Sequence, residues 1–428
     1  METSWVESAN RSTSDFPLQN LPFGVFSTRI LDQRIGVAIG DRVLDVRVCA
    51  EQGLLRALEP ALQQACTAVT LNRLMALGRK ASSALRARLT ELLRVDVSPE
   101  IRGRLERLLY PAPDVTMHLP AVIGDYTDFY ASIYHATNVG KLFRPDNPLL
   151  PNYKHVPIGY HGRASSIVIS GEKIQRPAGQ VKAPDADFPI YGPSRLLDYE
   201  LEVGFFVAQG NARGEAIPLN KAEDHIFGLC LVNDWSARDI QAWEYQPLGP
   251  FLAKNFATTI SPWVVTLDAL EPFRLPAFHR EAGDPQPLPY LSSEQNQQRG
   301  SIDVTLEVWL SSKRMRESGH APMRLSKGNM RDLYWTPAQM LTHHASNGCN
   351  LRPGDLLASG TVSGPVKESV GCLLEMTRRG TEPIQLPTGE VRRFLEDGDE
   401  VIFRGYCEQE GHPRIGFGEC RGTILAAF

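Results

Sequence analysis

The stretch LLDYELEVGFF at 196–206 sets three carboxylates at alternate positions. In an extended strand, side chains two residues apart share a face, so Asp198, Glu200 and Glu202 point one way and Tyr199, Leu201 and Val203 the other. Three like charges on one face of an otherwise apolar strand repel each other and lose hydration. A hard divalent cation relieves both costs, and ligation by oxygen alone suits Ca²⁺, Mg²⁺ or Mn²⁺. Taken alone, the pattern also describes a solvated strand face. The continuation into GFF, between other apolar runs, favours a strand buried on at least one side.

A further carboxylate, Asp234, closes the apolar run GLCLVN, where a strand end would hold it rigidly at a site. The text after it, WSARDIQAWEY, reads as a helix. Trp235, Arg238, Gln241 and Tyr245 follow at near-helical steps and share one face, which mixes an aromatic ring, a cation, an amide and a phenol. The same spacing equally describes an amphipathic helix that packs Trp235 inward and pairs Arg238 with Asp239 or Glu244. In GDYTDFYASIYHATNVGKLFR, Thr127 can cap a helix beginning at Asp128, and Asn138 and Gly140 would end it. On that helix Asp128, Ser132 and His135 line one face, a carboxylate and an imidazole fit for a metal and a general base. A lone His is more often structural. Lys254 lies between apolar residues and a Thr-Thr pair. Burial near a metal would favour its neutral or hydrogen-bonded form; a snorkelling surface Lys is the alternative. Residues 343–365 pack Gly, Asn, Ser and Thr around short strands, able to offer backbone amides to an anion or to form ordinary tight turns. The adjacent His343 and His344 diverge, which argues against a shared metal.

These side chains need a frame. The 428 residues suit two domains. With 42% apolar and 22% charged residues, the chain has ample material for a core. A net charge of -4 gives no broad basic field, which argues against nucleic acid as a partner. The seven cysteines are widely spaced with no C-x-x-C pair, as in a reducing cytoplasm. The N-terminus lacks a secretory pattern, and no apolar run approaches the roughly 20 residues that span a bilayer. Short apolar runs at 16–48 (FGVFST, RIGVAIG, RVLDVRV) read as strands, and 54–109 reads as amphipathic helices with Arg on their polar faces. Pro111, Pro113 and Pro120 then interrupt the helical pattern, placing a boundary near 118. The rest is strand-rich: SSIVIS, LEVGFFVA, HIFGLCLVN, SPWVVTL, VTLEVWL, DLLASG, CLLEMT and EVIFRGYC. Helices are expected at 127–136 and 336–346, and 279–300 reads as an exposed loop. No nucleophile elbow, HExxH, Walker A or dinucleotide motif competes.

Read together, DYTDFYASIYHATNVGKLFR, VPIGYHGRASSIVISG, LLDYELEVGFFV, NDWSARDIQAWEYQPLGPFLAKNFATTISPW, NGCNLRPGDLLASGTVSGP and GYCEQEGHPRIGFGEC, with DFPLQNLPFGVFST near the start, closely resemble the fumarylacetoacetate hydrolase family in its two-domain form. The resemblance runs through almost the whole chain. It implies a mainly β fold with some α: a small N-terminal SH3-like β-barrel domain with helices (1–118) and a larger mixed β-roll catalytic domain (119–428). It implies Asp128, Glu200, Glu202 and Asp234 as carboxylate ligands of Ca²⁺ or Mg²⁺, with Mn²⁺ a further candidate, and Lys254 and Thr258 near a second ion. It implies His135 with Glu375 as the dyad that activates water, and Arg238, Gln241 and Lys254 as the groups that stabilise developing negative charge. It implies Tyr130, Arg144, Gln241, Tyr245 and Thr361 as substrate contacts, and a homodimer. The activity implied is metal-dependent hydrolysis of a carbon–carbon bond in a 1,3-diketo acid, fumarylacetoacetate, the last step of tyrosine and phenylalanine catabolism, in the cytoplasm. The alternatives are hydrolysis of acylpyruvates or related diketo acids within the same superfamily, and a non-catalytic metal- or ligand-binding module. The run KNFATT departs from the family pattern by having Ala257 in place of Gly.

Overall fold

The computed structural model describes residues 2–428 and shows a mixed α/β chain built on one eight-stranded sheet and two five-stranded ones. Near the N-terminus, Phe23–Ser27, Arg34–Ile39, Arg42–Asp45, Leu109–Pro111 and Thr116–His118 form an antiparallel five-stranded sheet, with Phe23–Ser27 between Arg34–Ile39 and Thr116–His118. The run RVLDVRV is strand only as far as Asp45. The Asp45 carboxylate accepts from the Val48 amide and caps a helix over Val46–Glu51. The helical text resolves into several helices, the longest Arg79–Leu93. Its Leu85, Leu89 and Leu92, spaced for one face, are buried against the sheet residues Val25, Ile35 and Val37. The same cluster takes in Phe206, Phe227 and Leu356, so apolar packing runs unbroken from this sheet into the next.

The largest sheet carries, in spatial order, Gly159–Gly162, Tyr126–Phe129, Leu356–Ala358, Leu201–Val207, Ile226–Asp234, Thr258–Ile260 and Ile167–Ile169, with Val265–Thr266 also paired to Ile226–Asp234. Most neighbours are antiparallel; Leu356–Ala358 runs parallel to Tyr126–Phe129, and Thr258–Ile260 to Ile167–Ile169. Every residue of Leu201–Val207 and of Ile226–Asp234 is buried, which explains continuous apolar runs where a half-exposed sheet would alternate. A third sheet (Met323–Asn329, Thr305–Ser311, Glu400–Cys407, Ile415–Leu425, Lys173–Gln175) covers the second through Trp235, Leu231, Leu306, Phe403 and Phe417.

Several local expectations change. Tyr126–Phe129 is a strand, and the helix begins at Ile133, with the Ser132 hydroxyl accepting from the His135 amide. Asp128, Ser132 and His135 therefore do not line one helix face. Asn138 and Gly140 do not end the helix, which continues to Phe143. Gly140 is there because the Pro148 carbonyl passes so close that a Cβ would lie 2.0 Å from its oxygen. CLLEMT is not a strand: Leu373–Met376 forms one helical turn. SPWVVTL contributes only Val265–Thr266 as strand, and the loop at 279–300 contains a short helix, Glu294–Arg299. The helix expected at 336–346 spans Pro337–Ala345 under a Thr336–Gln339 capping box.

Candidate active site

The sheet order decides which carboxylates meet. Asp128 sits on Tyr126–Phe129, Glu202 two strands away on Leu201–Val207, and Asp234 at the end of the adjoining Ile226–Asp234. Glu200 stands just before its strand, its amide donating to the Asn233 side chain. One oxygen from each of Asp128, Glu200, Glu202 and Asp234 falls within 4.8 Å of the others, and all four residues are buried. Asp198 is not among them. The strand is interrupted at Tyr199 and Glu200, and Asp198 turns away to accept from Arg238 Nε at 2.9 Å and from the Leu373 and Leu374 amides. The alternation rule fails for Asp198 because it holds only within an unbroken strand.

The four carboxylates differ in their partners. Glu200 pairs with Lys254 and, at 2.7 Å, with Arg238. Asp234 accepts from Lys254 Nζ at 2.7 Å, from the Thr258 hydroxyl at 2.8 Å and from the Tyr160 phenol at 2.8 Å. Asp128 accepts from the Gly360 amide at 3.1 Å. Glu202 has neither oxygen hydrogen-bonded, although both are buried. Burial, then repulsion from the neighbouring carboxylates, pushes Asp128 and Glu202 well above the ordinary carboxylate range. Burial pushes Glu200 the same way, but the Lys254 ammonium and Arg238 guanidinium outweigh it and hold Glu200 low. A buried, unpartnered carboxylate beside three others is a costly arrangement that a divalent cation resolves, and all-oxygen donors suit a hard one. The residues present therefore fit a metal.

Of the forms expected for Lys254, neutral or hydrogen-bonded near a metal or snorkelling at the surface, the structure shows the buried, hydrogen-bonded one. Burial lowers its proton affinity, but Asp234 and Glu200 more than restore it, so it stays an ammonium. An ammonium has no lone pair, so its Nζ neutralises carboxylates and cannot ligate an ion. Ala257 has no positive φ, so its Cβ is no obstacle to the local backbone. Arg238 pairs with Asp198 and Glu200, rather than with Asp239 or Glu244, and also donates to Gln241 at 3.2 Å. Trp235 lies outside the helix (Arg238–Glu244), fully buried, its indole N–H on Thr259.

Beside the carboxylates, His135 Nδ1 lies 2.6 Å from Glu375 Oε2, joining the first turn of one helix to the Leu373–Met376 turn. Glu375 is held below its usual range: burial raises it, and His135, Asn138 and Ser363 bring it down. Asp198, by accepting from the Leu373 and Leu374 amides, fixes this turn and Arg238 together. The Tyr130 ring packs edge-on against His135, centroids 5.4 Å apart. Thr361 is buried next to Gly360, whereas Arg144 and Tyr245 are exposed at helix ends. His343 and His344 do diverge, the first to Tyr290 and the second to Thr127.

The sequence pattern gave no role to Tyr160 or to the Ser363 side chain, gave Asn138 only a helix end, and offered the Gly360 amide to an anion only as one of the amides of 343–365. Asn138 alone had a usable signal, lying three residues after His135 on a helix. The others come from loops or strands that only the fold brings near.

Two family models match the chain: Fumarylacetoacetase N-terminal over residues 19–120 and Fumarylacetoacetate (FAA) hydrolase C-terminal over 126–425. The chain belongs to the fumarylacetoacetate hydrolase family. Among relatives of this family, the fumarylacetoacetase of Bos taurus is 51% identical over 97% of each chain, and that of Caenorhabditis elegans is 52% identical over 97% of each. The fumarylacetoacetase of Arabidopsis thaliana is 49% identical over 97% of this chain and 96% of its own. Among solved structures, the fumarylacetoacetate hydrolase of the psychrophile Exiguobacterium antarcticum aligns with a TM-score of 0.50 at 17% identity, covering 95% of this chain and 99% of that one. At that identity the likeness concerns the fold, which this family member shares. No helix among the described residues is long and apolar enough to cross a membrane.

Proposed function

We propose that this chain is a hydrolase that cleaves the carbon–carbon bond of fumarylacetoacetate, with water, to fumarate and acetoacetate, closing tyrosine and phenylalanine breakdown in the cytoplasm. The observation that carries the reading is the convergence of four buried carboxylates and a His–Glu pair, in a chain about half identical over nearly its full length to fumarylacetoacetases. Asp128, Glu200, Glu202 and Asp234 would hold Ca²⁺ or Mg²⁺. When bound, the ion supplies a Lewis acid for the diketone oxygens.

The chain's own residues do the rest. Glu375 fixes the His135 ring by accepting from Nδ1, which leaves Nε2 as the base. Nε2 takes a proton from water, and the hydroxide adds to the carbonyl that adjoins the fumaryl group. Arg238, Gln241 and Lys254 hold the resulting oxyanion, donors of a kind that contribute on the order of a few kcal/mol each. The carbon–carbon bond then breaks, its electron pair leaving with the acetoacetate carbon, which takes a proton in turn. Tyr130, Arg144, Gln241, Tyr245 and Thr361 would contact the substrate. Residues 1–118 would form the SH3-like unit and 119–428 the catalytic β-roll. We also take the molecule to be a homodimer, a reading supported by exposed apolar side chains: Phe188, Ile190 and Tyr191 in one segment, Leu248 and Phe251 in another.

The test is the loss of diketone ultraviolet absorbance from fumarylacetoacetate, with and without chelator and added Mg²⁺ or Ca²⁺. Metal-dependent loss yielding fumarate and acetoacetate is expected. No loss with any metal, but turnover of acylpyruvates, would move the reaction to another diketo acid. In His135→Ala, kcat should fall at least about a hundredfold with the metal retained. Near-normal kcat would refute the base assignment.

A further inference from the structure

Glu375 has more partners than the imidazole requires. Oε2 lies 2.6 Å from His135 Nδ1 and accepts from the Ser363 hydroxyl at 2.8 Å. Oε1 accepts from Asn138 Nδ2 at 2.8 Å. The direction of the Ser363 bond follows from its other neighbour: the Gly371 amide donates to the same hydroxyl oxygen at 2.9 Å, leaving the hydroxyl proton free to point at Glu375. Asn138 lies three residues after His135 on one helix, so base and amide share a face and approach Glu375 together. The Ser132 hydroxyl donates to the Ser363 carbonyl at 2.9 Å and accepts from the His135 amide, tying the Ser363 loop to the first turn of that helix.

A buried carboxylate tends to take up a proton. If Glu375 did so, it would cease to be an anionic acceptor for His135, and Nε2 would lose basicity. We propose that Asn138 and Ser363 are positioning residues that keep Glu375 ionised and aimed at His135 Nδ1, so that Nε2 remains the proton acceptor. The inference rests on the reading of His135 as the base, and its test needs a measurement independent of turnover.

Two readouts serve, both on protein loaded with Mg²⁺. The first is kcat and KM for fumarylacetoacetate against pH in Asn138→Ala, Asn138→Asp and Ser363→Ala. The second is the ¹⁵N NMR shifts of the His135 ring without substrate, which report its tautomer. In Asn138→Ala, kcat should fall roughly tenfold or more, as for loss of a hydrogen bond to a charged group. KM should stay within about twofold, and the acid limb of kcat/KM should move to lower pH as His135 becomes less basic. The ring should change from Nδ1-protonated to mixed tautomers, with bound metal unchanged. Ser363→Ala should shift the tautomer in the same direction. Asn138→Asp has the same shape but sets a carboxylate against a carboxylate, so it should be worse than Ala. A residue that only filled space would show the reverse order, and that order would overturn the proposal. So would an unmoved tautomer in both Asn138→Ala and Ser363→Ala. If the wild type turns over no fumarylacetoacetate but the tautomer still shifts, the positioning role stands and the assigned reaction falls.

Discussion

Glu202 is the residue on which the metal reading turns. Its two buried oxygens have no partner, whereas Glu200 has Lys254 and Arg238 and Asp234 has Lys254, Thr258 and Tyr160. Glu202→Gln removes a buried carboxylate whose oxygens have no partner. At neutral pH the metal-free variant should melt no lower than the metal-free wild type, while the melting gain on adding Mg²⁺ or Ca²⁺ should disappear. A variant that keeps the full metal-induced gain would sink the ligand assignment. The pH dependence follows from the directions of shift. Asp128 and Glu202 are raised by burial and by each other, so in metal-free protein the stability linked to their protons is complete below about pH 4 and lost as pH rises through the raised values. Glu375 is lowered, so its contribution is present above the ordinary carboxylate value and lost as pH falls. The melting gain from metal should therefore grow from weakly acidic to neutral pH. A gain that stays constant over that range would contradict the assignment.

Elements matter here mostly where they stop. The Leu201–Val207 strand begins one residue after Glu200, and that break separates Asp198 from Glu200 and Glu202. The end of Leu356–Ala358 leads into Gly360, at φ +72°, whose amide reaches Asp128. A Cβ there would lie 2.1 Å from the Phe129 carbonyl oxygen, so the position needs glycine on two grounds. Gly360→Ala should cost about 2 kcal/mol or more in stability and weaken metal binding by moving the Asp128 partner. Gly192→Ala, with nothing within 4 Å, is the neutral control. Equal effects of the two substitutions in thermal melts would disprove the argument.

Over the whole molecule, the N-terminal sheet and the catalytic sheet share one apolar cluster and an antiparallel bridge from Phe23 to Val264. Arg79 at the start of the longest helix also pairs with Asp268 at 3.1 Å. This packing gives the N-terminal residues a structural role in supporting the buried strands that carry Glu202 and Asp234. The exposed apolar side chains Leu248 and Phe251 lie a few residues beyond the helix that bears Arg238 and Gln241. Leu248→Asp combined with Phe251→Asp should convert a dimer to monomers in sedimentation, with the melting temperature little changed. A wild type that sediments as a monomer, or a dimer unaffected by the pair, would refute that interface.

The apolar runs at 201–207 and 226–234 were legible as strands, and the polar residues beside them as a site, because continuous burial leaves a compositional trace even without an alignment. His135 and the acidic pattern stood out as chemistry-bearing types, and the motifs resembling the fumarylacetoacetate hydrolase family tied them to one reaction. What the sequence could not show was direction. Periodicity is local, so it assigned Asp128 to a helix when it lies on a strand, grouped Asp198 with Glu200 across a strand break, and read CLLEMT as extended. Charge state was equally hidden. The spacing around Lys254 left open a neutral form, a hydrogen-bonded one or a surface ammonium; the carboxylates of Glu200 and Asp234 keep it charged and hydrogen-bonded. Sequence determined which groups are present and which segments are buried. Tertiary structure decided which of them meet, because contact and electrostatic field depend on distances across strands far apart in the chain.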